Sequence, residues 1–196
     1  MTPKQFNDRL RLKSSEIKHL MERTLPVKIG AIAQSHYKEN FRNSGFDGTK
    51  WKTTWRQQHG SGAASSYGPL LSKRKNLYNS ITRTTGKGTV TISTNVEYAA
   101  IHNEGGTLHP KVTPKMRKFA WAKFFEASGI KKGMTAAEKK AAAANEDAKK
   151  WLGLALTKKT SLSINIPKRQ LIGESEVLSK KIIDIIDDEL NKILKQ

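Results

Sequence analysis

The sequence predicts an α+β fold: a small antiparallel sheet of three to four strands packed by N- and C-terminal helices, with a helical insertion. Three observations lead there. Apolar residues recur at helical spacing near both ends of the chain, and from Leu77 to Thr94 the period drops to 2 in Thr-rich segments around a Gly-rich turn. Between residues 137 and 155 alanines step by 3 and 4, after the alternation has stopped. At 196 residues, with no Pro/Gly/Ser-rich linker between balanced halves, a single domain over 1–196 with an insertion at about 107–160 is expected.

The first element is announced by its cap. Thr2 as N-cap, Pro3 at the first helical position and Gln5 three residues after the cap form a capping box, and Phe6, Leu10, Ile17, Leu20 and Met21 carry a sparse apolar stripe to about Arg23. Pro26 is expected to end or bend that helix. A second runs from about Val27 to Asn43, with Ile29, Ile32, His36 and Asn40 on one side, flanked by Ala33, Tyr37 and Phe41. Lys28, Lys38 and Arg42 are expected to stay solvated.

Gly45 to Trp51 breaks the helix, since glycines around Asp47 permit positive-φ turns. His59 to Tyr67 holds little to bury and reads as a flexible loop, disordered when the protein is alone. Leu77 to Thr84 and Thr89 to Thr94 alternate as strands joined at Thr85-Gly86-Lys87-Gly88, with Ile81, Val90 and Ile92 facing the core. Tyr98, Ile101 and His102, at i, i+3 and i+4, place three rings or branches on one face of a helical turn that the pair Gly105-Gly106 ends.

Lys115 to Phe125 fits strand or helix. Thr135 and Glu138 form a second capping box, opening a helix whose seam runs through Ala137, Ala141, Ala144, Ala148, Trp151 and Ala155. Such a seam packs on its own domain or on a neighbouring subunit, the first being commoner. Ser161 to Ile166 alternates as a strand stopped by Pro167, and Ser175 caps a last helix with Leu178, Ile182, Ile185, Ile186, Leu190 and Ile193 on its apolar face.

Composition narrows the function. Lys and Arg number 36 against 17 Asp and Glu, a net charge of +19, with 17 basic and 5 acidic residues before position 91. Nucleic acid or an acidic protein surface would satisfy that charge equally, because phosphate attraction is blind to sequence. Lys73, Arg74 and Lys75, and Lys115, Arg117 and Lys118 among aromatics, are the candidates for contact with DNA or an acidic partner. No apolar run reaches the roughly 18–20 residues that span a bilayer, and the start of the chain lacks a secretion signal, so a protein that stays in the cytoplasm where it is made is expected, with no membrane contact. The absence of cysteine excludes disulfides, thiolate metal sites and cysteine nucleophiles.

Catalytic signatures are missing: no phosphate-binding loop, no His-Glu-x-x-His, no Gly-x-Ser-x-Gly. His102 and His109 lie seven apart, but without a Cys or a second His pair no metal is assigned, and a packed His102 with an exposed His109 is expected. Asp184, Asp187, Asp188 and Glu189 sit late in the last helix, where the macrodipole disfavours anions; they read as a solvated face or as an answer to a basic partner.

Several segments together carry a resemblance. Gly48-Thr49-Lys50-Trp51 after a helix, Gly68-Pro69-Leu70, Leu77-Tyr78-Asn79-Ser80-Ile81, Tyr98-Ala99-Ala100-Ile101-His102-Asn103-Glu104-Gly105-Gly106, and Ile166-Pro167-Lys168-Arg169 running to Gly173 resemble the phage virion morphogenesis, or tail-completion, proteins of Mu-like phages and the neck-protein group. The resemblance covers about 27–106 and 161–196. Where that family has Ala-Arg-Pro-Phe-Leu-Gly after Ile-Pro, only Arg169 and Gly173 hold here. The resemblance implies a non-enzymatic virion protein without cofactor, made in the host cytoplasm, that finishes the tail or joins it to the head. It implies a homo-oligomeric ring near the DNA channel, with other tail and neck proteins as partners. The residues it singles out, for fold or interface, are Trp51, Tyr98, Ile101, His102, Gly105, Gly106, Pro167 and Arg169. The competing class is a free-standing basic nucleic-acid-binding protein.

Overall fold

Thr2 caps the first helix, α1 (Pro3–His19): its hydroxyl accepts from the Gln5 N–H at 3.3 Å and its own N–H donates to Gln5 Oε1 at 2.8 Å. The computed structural model describes residues 2–60 and 63–195. Helical winding does not stop at Pro26. It passes through a π turn, Leu20–Thr24, in which the Leu25 N–H bonds the Leu20 carbonyl, into α2 (Leu25–Asn43) with Pro26 in its first turn. Proline has no N–H to give the Glu22 carbonyl four residues back. That carbonyl instead accepts from the Gly88 N–H at 3.1 Å, so a distant turn supplies what the sequence withholds.

The chain forms two compact units, Met1–Gly106 with Pro167–Gln196, and Thr107–Ile166. In the first, α2 buries Ala33, His36, Tyr37, Asn40 and Phe41, and Ser44 ends it in the left-handed conformation. Lys28 pairs with Glu189, Lys38 lies over the Tyr78 ring and Arg42 Nη2 donates to the Tyr78 hydroxyl at 3.1 Å, so all three cations read as solvated have partners. Next comes a hairpin that the sequence showed only as a turn: β1 (Gly45–Phe46) pairs with β2 (Thr49–Lys50), with Asp47 and Gly48 both at positive φ, as two-residue hairpin loops require.

Two short helices follow, α3 (Trp55–His59), closed by a Thr54–Gln57 capping box, and α4 (Ala63–Ser66). The loop expected at 59–67 is therefore partly helical; Ser61 and Gly62 lie outside the described residues. The strand expected from Leu77 starts late, because Leu77 and Ile81 are both buried, four residues apart, which a helical turn allows while Asn79 stays exposed. That turn is α5 (Asn76–Asn79). β3 (Thr82–Gly86) and β4 (Thr89–Ser93) then pair in antiparallel register, Arg83 opposite Ile92 and Gly86 opposite Thr89. α2 packs on this hairpin at Gly30, where a Cβ would meet Arg83, Thr85 and Val90 at 3.3–3.4 Å. α6 (Ala99–Glu104) follows directly.

The second unit is rooted in β5 (Gly106–Leu108) paired with β6 (Ile164–Ile166), extended by a bridge from Lys111 to Ser161. Residues 114–128, ambiguous in sequence, are the helix α7 (Pro114–Ser128), capped by Thr113 and ended by Gly129. The Ala-rich stretch is two helices, α8 (Ala136–Ala143) and α9 (Glu146–Leu156), because Asn145 accepts from the Asp147 N–H and caps a fresh start. The capping box at Thr135 and Glu138 is present. Only the later half of the seam is used inside this unit: Ala148 and Ala155 of α9 are buried, as are Ala120 and Phe124 of α7, and the Phe119 and Trp151 rings meet edge to face, whereas Ala137, Ala141 and Ala144 are exposed.

Back in the first unit, α10 (Glu176–Leu194) buries Leu178 fully and turns its other expected apolar residues half inward, against α2 and α1. The fold is α+β. Its strands form three separate two-stranded antiparallel pairs rather than one sheet of three to four. The core of the first unit holds Tyr37, Phe41, Trp51, Leu77, Ile81, Ala99, Leu171 and Leu178.

Candidate functional site

Within the first unit the segments singled out by sequence converge on residues 167–173, which have no regular secondary structure and borrow their hydrogen bonds from elsewhere. The Arg169 N–H donates to the His102 carbonyl at 2.7 Å, and the Arg169 Nε donates to the Lys52 carbonyl at 2.9 Å. Asn103 Oδ1 accepts from the N–H groups of Leu171 and Ile172 at 2.7 and 3.1 Å. Trp51 Nε1 donates to the Gln170 carbonyl at 3.1 Å, and the Tyr37 hydroxyl to that of Gly173 at 2.7 Å. Three separate segments, α6, Trp51–Lys52 and α2, thus hold one strap.

The paired glycines make the approach close enough. Gly105 has φ +76° and a Cβ there would lie 2.9 Å from the Lys168 backbone nitrogen; Gly106 has φ +144° and its Cβ would lie 2.9 Å from Ile101 Cδ1. Any side chain at either position meets both strain and overlap. On α6 Ala99 is buried and Ile101, His102 and Asn103 are half-buried, so His102 is packed as expected, while Tyr98 is 47% exposed with its ring edge to face against His102. Asn103 is the strap's main holder, and nothing in its spacing had marked it.

Charge is confined here. Arg169 is only 5% exposed, and burial lowers its pKa. Burial also lowers the pKa of His102, and the neighbouring Arg169 charge pushes the same way. His102 Nδ1 is buried with no hydrogen-bond partner, so the ring is held neutral without being recruited. His109 is exposed. Among the described residues no three His, Asp or Glu side chains are placed to hold a metal ion.

A second polar cluster locks α10 in place. Ser175 Oγ accepts from the Leu178 N–H at 3.0 Å as helix cap, donates to Asp47 Oδ1 at 2.8 Å, and lies 3.0 Å from His36 Nε2. Asp47 Oδ1 is 3.3 Å from the same ring nitrogen. The residue types are those of a hydrolytic triad, yet the arrangement is not: a triad puts the carboxylate on the ring nitrogen away from the serine. Here the serine proton points at the carboxylate and the hydroxyl is spent on the cap. Burial lowers the His36 pKa, more than the nearby Asp47 carboxylate raises it. Beside this cluster is a cleft of about 370 Å³ that reaches Asn40, Lys50 and Lys181.

The basic candidates fall in different units. Lys73, Arg74 and Lys75 are exposed in the first, Lys75 at φ +50° ahead of α5. In the second, Lys115 and Lys118 are exposed on α7 and Arg117 is half-buried. Residues 107–166 hold 13 Lys and Arg against 4 Asp and Glu, so nearly half of the net charge sits on fewer than a third of the residues.

A family model described as the phage virion morphogenesis family matches residues 5–191. The match runs through α1 and through residues 107–166, beyond the segments that carried the resemblance in sequence. No curated protein and no solved structure matches the chain.

Proposed function

Because the chain belongs to the phage virion morphogenesis family and so has a structural role in virion assembly, we propose that it completes the phage tail or joins the tail to the head. The observation that carries this reading is the strap: Trp51, His102, Asn103 and Arg169 direct polar atoms at backbone atoms of their own chain, which makes the motif a scaffold for presenting surfaces. In this reading the protein sits as a homo-oligomeric ring near the DNA channel, with other tail and neck proteins as partners, and performs no catalytic step. The charge of the second unit then faces passing duplex, where sequence-blind attraction suffices. The segment 60–66 and residues 107–166 meet neighbouring proteins.

The test is genetic. Phage lacking this chain should accumulate heads and tails that fail to join, or tails left unfinished, and the intact chain supplied in trans should restore infectious particles. Normal particles from the deletion strain contradict the proposal. Deleting residues 60–66 should leave the fold and impair joining; unimpaired joining removes that segment from the contacts.

The second reading, a free-standing nucleic-acid-binding protein, is favoured by the 13-to-4 charge ratio of residues 107–166. Both readings give duplex binding that weakens steeply with salt. A fixed base-sequence preference in binding favours the second.

A further inference from the structure

We infer that the open edge of β4 pairs with the open edge of β3 on a second copy of this chain, repeating the hairpin's own register, with Val90 opposite Thr85 and Ile92 opposite Arg83 of the neighbouring copy. The inference rests on the assembly role proposed above and specifies one of its interfaces.

The hairpin is fixed in place yet open along both sides. Its tip is tied by the Gly88 N–H, which donates to the Glu22 carbonyl at 3.1 Å, and by Lys87, 3.4 Å from the Glu22 carboxylate. One face lies on α2 at Gly30, and the Gln34 side chain donates to the Ile81 carbonyl at 2.8 Å just before β3 begins. β3 and β4 pair only with each other. In an antiparallel ladder, residues that exchange bonds with the partner strand alternate with residues whose N–H and C=O point away from it. The two-residue turn at Lys87 and Gly88 makes Gly86–Thr89 a bonded pair, and Thr84–Thr91 and Thr82–Ser93 follow by alternation. Thr82 Oγ1 donates to the Ser93 carbonyl at 3.4 Å, which places that carbonyl on the β3 side as this alternation requires. The backbone groups of Arg83 and Thr85 therefore point off one edge, and those of Val90 and Ile92 off the other. Among the described residues none of these groups has a hydrogen-bond partner.

Exposed strand edges are ordinarily guarded by charge, proline or a bulge. Here the register runs unbroken from Thr82–Ser93 to Gly86–Thr89. The two strands hold no proline and one charge, Arg83, whose side chain lies against α2 at Gly30. The face turned away from α2 is Thr82, Thr84, Gly86, Thr89, Thr91 and Ser93, all exposed and all uncharged in a chain that is 27% charged.

The two edges of one copy fit each other. Both offer outward groups at alternate residues, so setting β4 against β3 of a neighbour forms hydrogen-bonded pairs at Val90–Thr85 and Ile92–Arg83. The antiparallel order continues across the boundary, and Thr91 meets Thr84 of the neighbour on the uncharged face. Two β4 edges set together across a two-fold axis would leave β3 open on both copies. Edge against opposite edge uses both in every copy, and such a heterologous contact propagates, closing into a ring or running on as a filament. With few bonds and little apolar burial the contact is weak alone, which suits a protein that assembles only when other virion parts hold its copies side by side.

The chain has no cysteine, so introduced thiols report on this contact specifically. Thr84 and Thr91 are exposed, and across the contact their Cα atoms would stand about 4.5 Å apart, the spacing of a non-hydrogen-bonded pair and within disulfide reach. Because the same two residues also face each other inside one hairpin, the thiols are placed on different copies: phage is grown in cells that supply Thr84→Cys and Thr91→Cys as separate chains, and purified particles are treated with a mild oxidant. The mixture should yield covalent dimers, and particles built from either variant alone should yield only monomer. Particles that contain both variants yet release only monomer overturn the edge contact and leave the assembly role standing. Dimers from Thr91→Cys alone overturn it in favour of β4 against β4, and dimers from Thr84→Cys alone in favour of β3 against β3. If wild-type particles lack the chain, the assembly role falls and the edge contact falls with it. As a second variant, Thr85→Pro removes a donor from the open edge and none from the hairpin's own ladder. It should keep the circular dichroism of the intact chain and lose incorporation into particles at least tenfold, while Thr85→Val, which keeps the N–H, should incorporate normally; undiminished incorporation of Thr85→Pro contradicts the inference.

Discussion

The guanidinium of Arg169 reaches the backbone carbonyl of Lys52 at 2.9 Å, tying the strap after Pro167 to the turn that places Trp51. Those residues are 117 positions apart, and the bond is made by a cation that is 95% buried. Arg169→Met keeps the bulk and leaves the Lys52 carbonyl without its donor, which should cost about 1–3 kcal/mol in urea unfolding. Arg169→Lys should recover only part of that, because a lysine lacks the planar Nε–H that makes the bond. Lys168→Ala, at the exposed neighbour, should stay within about 0.5 kcal/mol. Equal losses at 168 and 169 would show that the strap is not held this way.

Asn103 should matter as much as any named motif residue. Asn103→Leu removes the acceptor for two backbone N–H groups, at a cost of about 1–3 kcal/mol for each donor left dry. Gly105→Ala adds a side chain at φ +76° and 2.9 Å from backbone, and should destabilise by at least about 1 kcal/mol. Both are read from urea midpoints, and a Tyr98→Ala control at an exposed site should differ little.

Stability should fall on mild acidification. His36 and His102 both have pKa values lowered mainly by burial, so the unfolded chain takes up protons below about pH 6.5 while the native chain resists. The unfolded state then binds more protons, and the stability present above about pH 6.5 declines as pH drops towards the lowered native values. The urea midpoint should be lower at pH 5.5 than at 7.5, and His102→Gln should flatten the difference. A midpoint that rises on acidification contradicts the assignment of both rings as neutral.

Ser175→Ala removes the cap of α10 and the hydroxyl between His36 and Asp47 in one step. A loss of about 1–3 kcal/mol is expected, above the usual range for a surface cap alone because His36 is buried and Asp47 half-buried. If Ser175 were instead a nucleophile, a serine-directed phosphonate would label it; no labelling is expected.

Lys115→Gln and Lys118→Gln test the charged face. If these side chains lie against phosphates, each substitution should reduce the slope of log binding constant against log salt by about 0.9 for duplex DNA, with no change in sequence preference. An unchanged slope places the contact elsewhere.

Local signals carried much of the fold into the sequence. The capping boxes at Thr2 and Thr135, the Ser175 cap and the apolar face of the last helix are short-range patterns, and each helix start is found where its cap stands. Most of what failed was decided by packing between distant segments. Leu77 to Ile81 fits either period, and only the burial of both ends at helical spacing selects the turn. The Ala run hid a second helix start at Asn145, although Glu146 and Asp147 after an Asn are themselves a start signal. At the site, Gly105, Gly106 and Arg169 were legible as motif members. Asn103, and the meeting of His36, Asp47 and Ser175, were not, because those contacts join residues 68 to 139 positions apart.

Whether this chain is a component of the completed tail or of the head–tail junction is measured most directly by electron microscopy of virions labelled at its C-terminus. Label is expected at a single axial position, the tail end or the junction with the head, on every intact particle. Particles that assemble and infect normally while carrying no label would contradict it.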